Sequence, residues 1–134
     1  MGTRSLTYVY NEDQVTKTQR VLCMYRQFDG YPSGHGKELY SFLSSGKMVN
    51  GISPDDTTVF NGSGCLAAQM VAYFKDGPGN IYLLPTHTSY SYQDYSYHVY
   101  FQNEQFCIEV RNHKNKKLFS GSLEEFGTWC DQED

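Results

Sequence analysis

Three things are missing from this sequence, and each removes a class of protein. No apolar run in the 134 residues approaches the roughly 20 needed to span a bilayer, and no charged-then-apolar leader opens the chain. A cytoplasmic protein with no membrane partner is therefore expected. The four cysteines, Cys23, Cys65, Cys107 and Cys130, lack any Cys-x-x-Cys spacing, which argues against a zinc knuckle or a disulfide framework and predicts free thiols, mostly buried. Charge is scarce, at 19% of residues and −4 net. Lys114, Lys116 and Lys117 are the only basic group, and acidic residues collect near the end at Glu124, Glu125, Asp131, Glu133 and Asp134. Without a basic field to gain from counterion release, duplex nucleic acid is not an expected partner, although a single positive pocket can still hold a small anion.

What is present is the composition of a folded protein: 39% apolar and 16% aromatic residues, in a chain the length of one average domain. Residues 1–134 are expected to form a single α+β domain around one core. Thr3 to Tyr10 alternates as a strand, with Leu6, Tyr8 and Tyr10 on one face and Thr7 and Val9 on the other. Asn11 to Gln19 reads as a hairpin loop. Arg20 to Phe28 contains the near-continuous apolar run Val21 to Tyr25, as expected of a central strand covered on both faces.

Leu39, Phe42 and Leu43 recur at helical spacing before Gly46 and predict a helix over about His35 to Ser45. Leu66, Met70 and Phe74 predict another, with Ser63 as its cap and Asp76-Gly77-Pro78-Gly79 as its end. Strands follow at Ile81–Leu84, Tyr95–Gln102, Gln105–Arg111 and Lys117–Phe119, with a tight turn at Asn103-Glu104. Ser122 and Glu125 have capping-box spacing ahead of a short helix over Leu123, Phe126 and Cys130. This order predicts an antiparallel sheet with two or three helices packed on it. The Tyr/Ser-rich stretch Thr86 to Tyr97 reads as a loop entering a strand.

The loop from Tyr25 to Gly36 carries the densest functional chemistry. It lies between a strand and a helix, where binding groups sit on a rigid scaffold. Gly34 and Gly36 allow close backbone approach, and the free amides of the following helix favour an anion. Arg26, Lys37 and His35 complete a phosphate or carboxylate site, Asp29 or Gln27 suits ribose hydroxyls or a base edge, and Tyr25, Tyr31 and the strand tyrosines offer stacking faces. The candidate ligand site is thus Tyr25, Arg26, Gln27, Asp29, Tyr31, Gly34, His35, Gly36 and Lys37. The same residues also suit a plain structural loop, with a turn at Gly30 and Pro32 and Arg26 paired to Asp29 or Glu38.

The string Tyr25-Arg26-Gln27-Phe28-Asp29-Gly30-Tyr31-Pro32-Ser33-Gly34-His35-Gly36-Lys37-Glu38-Leu39, with Val49-Asn50-Gly51-Ile52 and Leu66-Ala67-Ala68-Gln69, resembles a family of small, mostly uncharacterised proteins of bacteria and their phages. The resemblance implies one fold unit with a special loop, and no reaction.

The expected function is non-catalytic capture of a small phosphorylated, nucleotide-derived ligand, in phage terms an anti-defence sponge for a host immune signalling nucleotide, with a homo-oligomer reasonable. Two alternatives stay open: a small phosphodiesterase or other hydrolase centred on His35 with Asp29 and Arg26, and a phage protein-interaction or virion accessory module. His35, His87, His98 and His113 have no short metal-ligand spacing, so neither a metal nor a cofactor is expected.

Overall fold

The computed structural model describes residues 2–12, 19–53 and 55–133. It contains strands β1 (Ser5–Tyr10), β2 (Arg20–Arg26), β3 (Lys47–Val49), β4 (Val59–Asn61), β5 (Ile81–Leu83), β6 (Tyr95–Gln102), β7 (Gln105–Asn112) and β8 (Lys117–Ser122), and helices α1 (Lys37–Ser44), α2 (Gly62–Phe74) and α3 (Leu123–Gln132). Six strands form one sheet in the order β5-β2-β1-β6-β7-β8, and β3 and β4 form a small parallel pair beside it. The fold class is α+β, as the element order predicts.

The sheet departs from the expected all-antiparallel pattern at one seam. β1 and β6 run parallel, while the other neighbours in the large sheet are antiparallel. A parallel pair needs a long crossover, and the chain between Tyr10 and Tyr95, which contains α1 and α2, supplies it. The centre of the sheet also moves. β2 has only short β5 on its outer side, whereas β1 lies between β2 and β6 and is buried along its whole length.

Alternation in the strands decides what each face carries. Val9, Leu22, Met24, Tyr97, Val99, Ile108 and Val110 pack with Leu39, Phe42 and Leu43 of α1, Leu66, Met70 and Phe74 of α2, and Phe126 and Cys130 of α3 in one core. Leu6, Tyr8, Tyr10 and Cys23 form a second cluster with Tyr25, Leu84 and Tyr100. Among the described residues no helix contributes to that second cluster. The segment 84–94 runs over it, held by Tyr8 OH donating to Thr88 O (2.7 Å), Leu84 N to Cys23 O (3.0 Å) and Asp94 N to Arg4 O (2.9 Å). The mixed tyrosine spacing of this stretch reflects an irregular cover.

Local chemistry sets the helix ends. At α3 both bonds of the capping box form, Glu125 N to Ser122 Oγ and Ser122 N to Glu125 Oε1. At α2 the cap differs from expectation. Ser63 lies inside the first turn, and its N–H donates to Glu12 Oε1 (3.0 Å) while its hydroxyl accepts from Glu12 N (2.8 Å). A carboxylate suits the positive helix end better than a hydroxyl. Asn103 and Glu104 both have positive φ, 52° and 63°, which matches the tight β6–β7 turn. Residues 13–18 of the expected first hairpin loop lie outside the described residues. No helix among the described residues is long and apolar enough to cross a membrane.

Candidate functional site

The loop after β2 folds back against the sheet. Pro32–Gly36 forms a π-helical turn that leads directly into α1. Pro32 is buried at its start, where its missing N–H costs nothing. The loop amides are bonded internally: Gly34 N to Tyr31 O, His35 N to Asp29 O, Gly36 N to Tyr31 O, and Lys37 N to Gly34 O and Pro32 O. The amides expected to cradle an anion therefore already have partners.

The side chains follow the same logic. His35 has no exposed surface, and its ring lies 4.9 Å from those of both Phe74 and Tyr97. Its Nε2 is 2.7 Å from Thr7 Oγ1 and its Nδ1 is 3.2 Å from Arg26 Nη1. Arginine can only donate, so Nδ1 accepts and the proton resides on Nε2, which donates to Thr7. Burial, reinforced by the adjacent Arg26 charge, pushes the His35 pKa down to about 3.

Arg26 is 7% exposed; its Nε donates to Phe28 O (2.6 Å) and its Nη1 also pairs with Glu38 Oε2 (2.9 Å). Of the pairings open to Arg26 in sequence, the one with Glu38 forms. The glycines are packing sites as well. A Cβ on Gly36 would sit 2.6 Å from Cys130 Sγ, and one on Gly34 would sit 2.7 Å from Asp29 O.

The remaining expected residues do not converge. Tyr25 faces the opposite side of the sheet from Arg26 and donates to Gln27 Oε1 (2.6 Å). Asp29 is exposed in the left-handed region, with φ of 60°, and Tyr31 OH is 3.4 Å from its Oδ1. Lys37 leans toward Asp131 on α3 (3.4 Å). The loop is thus a plug that locks β1, β2, α1 and α2 together, and the expected convergence of Arg26, His35 and the glycines on a ligand is not what these contacts provide. Sealed in and weakly basic, His35 is also poorly equipped as a general acid or base near neutral pH.

The second face offers a different constellation. Arg20, half-buried at the start of β2, holds its guanidinium carbon 4.0 Å above the Tyr8 ring and 5.6 Å from that of Tyr10. Nε donates to Tyr10 OH (3.1 Å), and Nη1 reaches the carbonyls of Thr86 and Thr88 (3.3 Å each). Tyr10 OH is in turn 2.8 Å from His98 Nδ1, and His98 Nε2 is 3.1 Å from Ser96 Oγ. Burial pushes the His98 pKa down to about 4, so its ring is a neutral member of this relay. Among the described residues no carboxylate forms an ion pair with Arg20.

Two hollows open beside this guanidinium. One, of about 400 Å³, is lined by Tyr8, Tyr90, Ser96, His98 and His113 among others. The other, of about 530 Å³, is lined by Tyr10, Gln19, Thr86, His87 and Tyr100. Arg20 lines both. The chain matches no protein family model, no curated protein and no solved structure.

In the sequence Arg20 reads as the first residue of a strand, and the residues it meets lie in distant segments. The available signal was the alternation of β6, which puts Ser96, His98 and Tyr100 opposite the apolar row Tyr97, Val99 and Phe101. Polar and aromatic groups on one strand face mark a surface that something other than a helix covers. Among the described residues no group of three or more His, Cys, Asp or Glu side chains converges as a metal site.

Proposed function

We propose that the protein is a non-catalytic binding protein that captures a small phosphorylated, nucleotide-derived ligand beside Arg20. The observation that carries this reading is a guanidinium without a carboxylate partner among the described residues, placed at hollows lined by tyrosine and histidine rings. Guanidinium chemistry suits a phosphate, and rings suit a base. His113 and Asn115 line the smaller hollow, and their chain neighbours Lys114 and Lys116 add positive charge to an otherwise acidic chain.

The resemblance at Tyr25 to Leu39 supports a phage setting, in which such a binder acts in the host cytoplasm as a sponge that withdraws an immune signalling nucleotide. A hydrolase centred on His35 is disfavoured by the burial and low basicity of that ring.

The test is to equilibrate the protein with cyclic di- and trinucleotides, mononucleotides and ADP-ribose derivatives, then remove free ligand, denature and analyse what is released. Recovery of an unaltered nucleotide is expected. A chemically changed nucleotide would make the protein an enzyme, and retention of none would end the nucleotide reading.

A further inference from the structure

Arg20 sits between two ring-lined hollows, and this arrangement restricts the ligand further. The guanidinium is stacked over Tyr8, which lines the smaller hollow, and lies 5.6 Å from the ring of Tyr10, which lines the larger. The side chain is steadied from two directions, by Tyr10 OH and by the Thr86 and Thr88 carbonyls, while Nη2 takes no part in these bonds. Each hollow has its own aromatic pair. Tyr10 and Tyr100 stack at 4.3 Å in the larger, and Tyr8 and His98 at 4.8 Å in the smaller. Each also has an exposed ring on segment 84–94, His87 in one and Tyr90 in the other.

A mononucleotide would occupy one hollow and leave the other to water. A ligand with two ring systems joined by one anionic linkage uses both, with the linkage at Arg20, which lines the two hollows. Resting on the binding function proposed above, we infer that the ligand is a dinucleotide whose phosphodiester lies at Arg20 and whose two bases enter the two hollows. The segment 84–94 supplies a wall to each, so the sequence bias of this stretch toward tyrosine and serine becomes a binding property.

The experiment is calorimetric titration of the full chain with adenosine and guanosine monophosphates and with the corresponding linear and cyclic dinucleotides. Wild type, His87→Ala, Tyr90→Ala and Arg20→Gln are compared. Both ring variants change exposed side chains and are expected to melt like wild type. At least one dinucleotide should bind ten times or more tighter than either mononucleotide, and His87→Ala and Tyr90→Ala should each weaken it about tenfold, the usual loss of one base-stacking partner. Arg20→Gln should weaken both ligand classes. Equal affinity for mono- and dinucleotides, or a loss confined to one ring variant, would overturn the two-hollow inference while leaving the binding function standing. Failure of every nucleotide to bind would remove both.

Discussion

Removing Arg26 leaves His35 Nδ1 buried without its donor, whereas after removal of His35 the Arg26 guanidinium keeps Glu38 and the Phe28 carbonyl. His35→Ala opens a void beneath Phe74 and Tyr97 and strands Thr7 Oγ1, and a loss of about 3 kcal/mol is expected in urea unfolding. Arg26→Ala is expected to cost about 2 kcal/mol, moderated because its partner Glu38 is half-exposed. The same ring sets an acid response. An unfolded histidine binds a proton near pH 6.5, whereas folded His35 and His98 resist it until about 3 and about 4. Between these values the unfolded state holds more protons, so stability falls as pH drops below 6.5 and is indifferent to these groups above it. The slope is about 1.4 kcal/mol per pH unit for each histidine. Unfolding free energies measured from pH 8 to 5 should show this decline, and a flat profile would mean that neither ring is held neutral by burial.

At the scale of elements, the strands and helices whose side chains repeat regularly are legible in the sequence. The 66, 70, 74 stripe of α2 is buried as its spacing implies, with Met70 at 0% exposure. Met70→Asp should place an unpaired charge in that core and abolish cooperative unfolding in calorimetry. A mutant with an unchanged transition would show the helix to face elsewhere. Glycine was harder to read. In sequence, Gly34 and Gly36 fit an anion cradle as well as a tight packing turn, because both require a missing Cβ. Only the positions of Asp29 and Cys130 distinguish the two, and Cys130 lies near the far end of the chain. Arg20 escaped for the same reason, since its carbonyl partners, Thr86 and Thr88, are distant in sequence and have no sequence signature.

For the molecule as a whole, the sheet is protected unequally. Helices cover one face and an irregular segment covers the other, while the short β5 edge is blunted where Lys75 Nζ donates to Ile81 O (2.7 Å). All four cysteines are free. Burial pushes Cys23 up to about 11 and Cys130 up to about 12, so in the native protein at pH 8 these two should react far more slowly with a thiol reagent than Cys65. Four equivalents should react after denaturation, and fewer would reveal a disulfide.

The proposal that a ligand binds at Arg20 while Arg26 holds the fold is tested most directly by measuring melting temperature and dinucleotide affinity on Arg20→Gln and Arg26→Gln in parallel. Arg20→Gln should lose roughly ten- to hundredfold in affinity, the usual loss for a charge-assisted contact, with a smaller loss of stability than Arg26→Gln because Arg20 is half-buried and Arg26 is only 7% exposed. Arg26→Gln should melt markedly lower and, at a temperature where it remains folded, bind like wild type. The reverse pattern, with affinity lost at Arg26 and stability lost at Arg20, would contradict the assignment and return the ligand site to the loop.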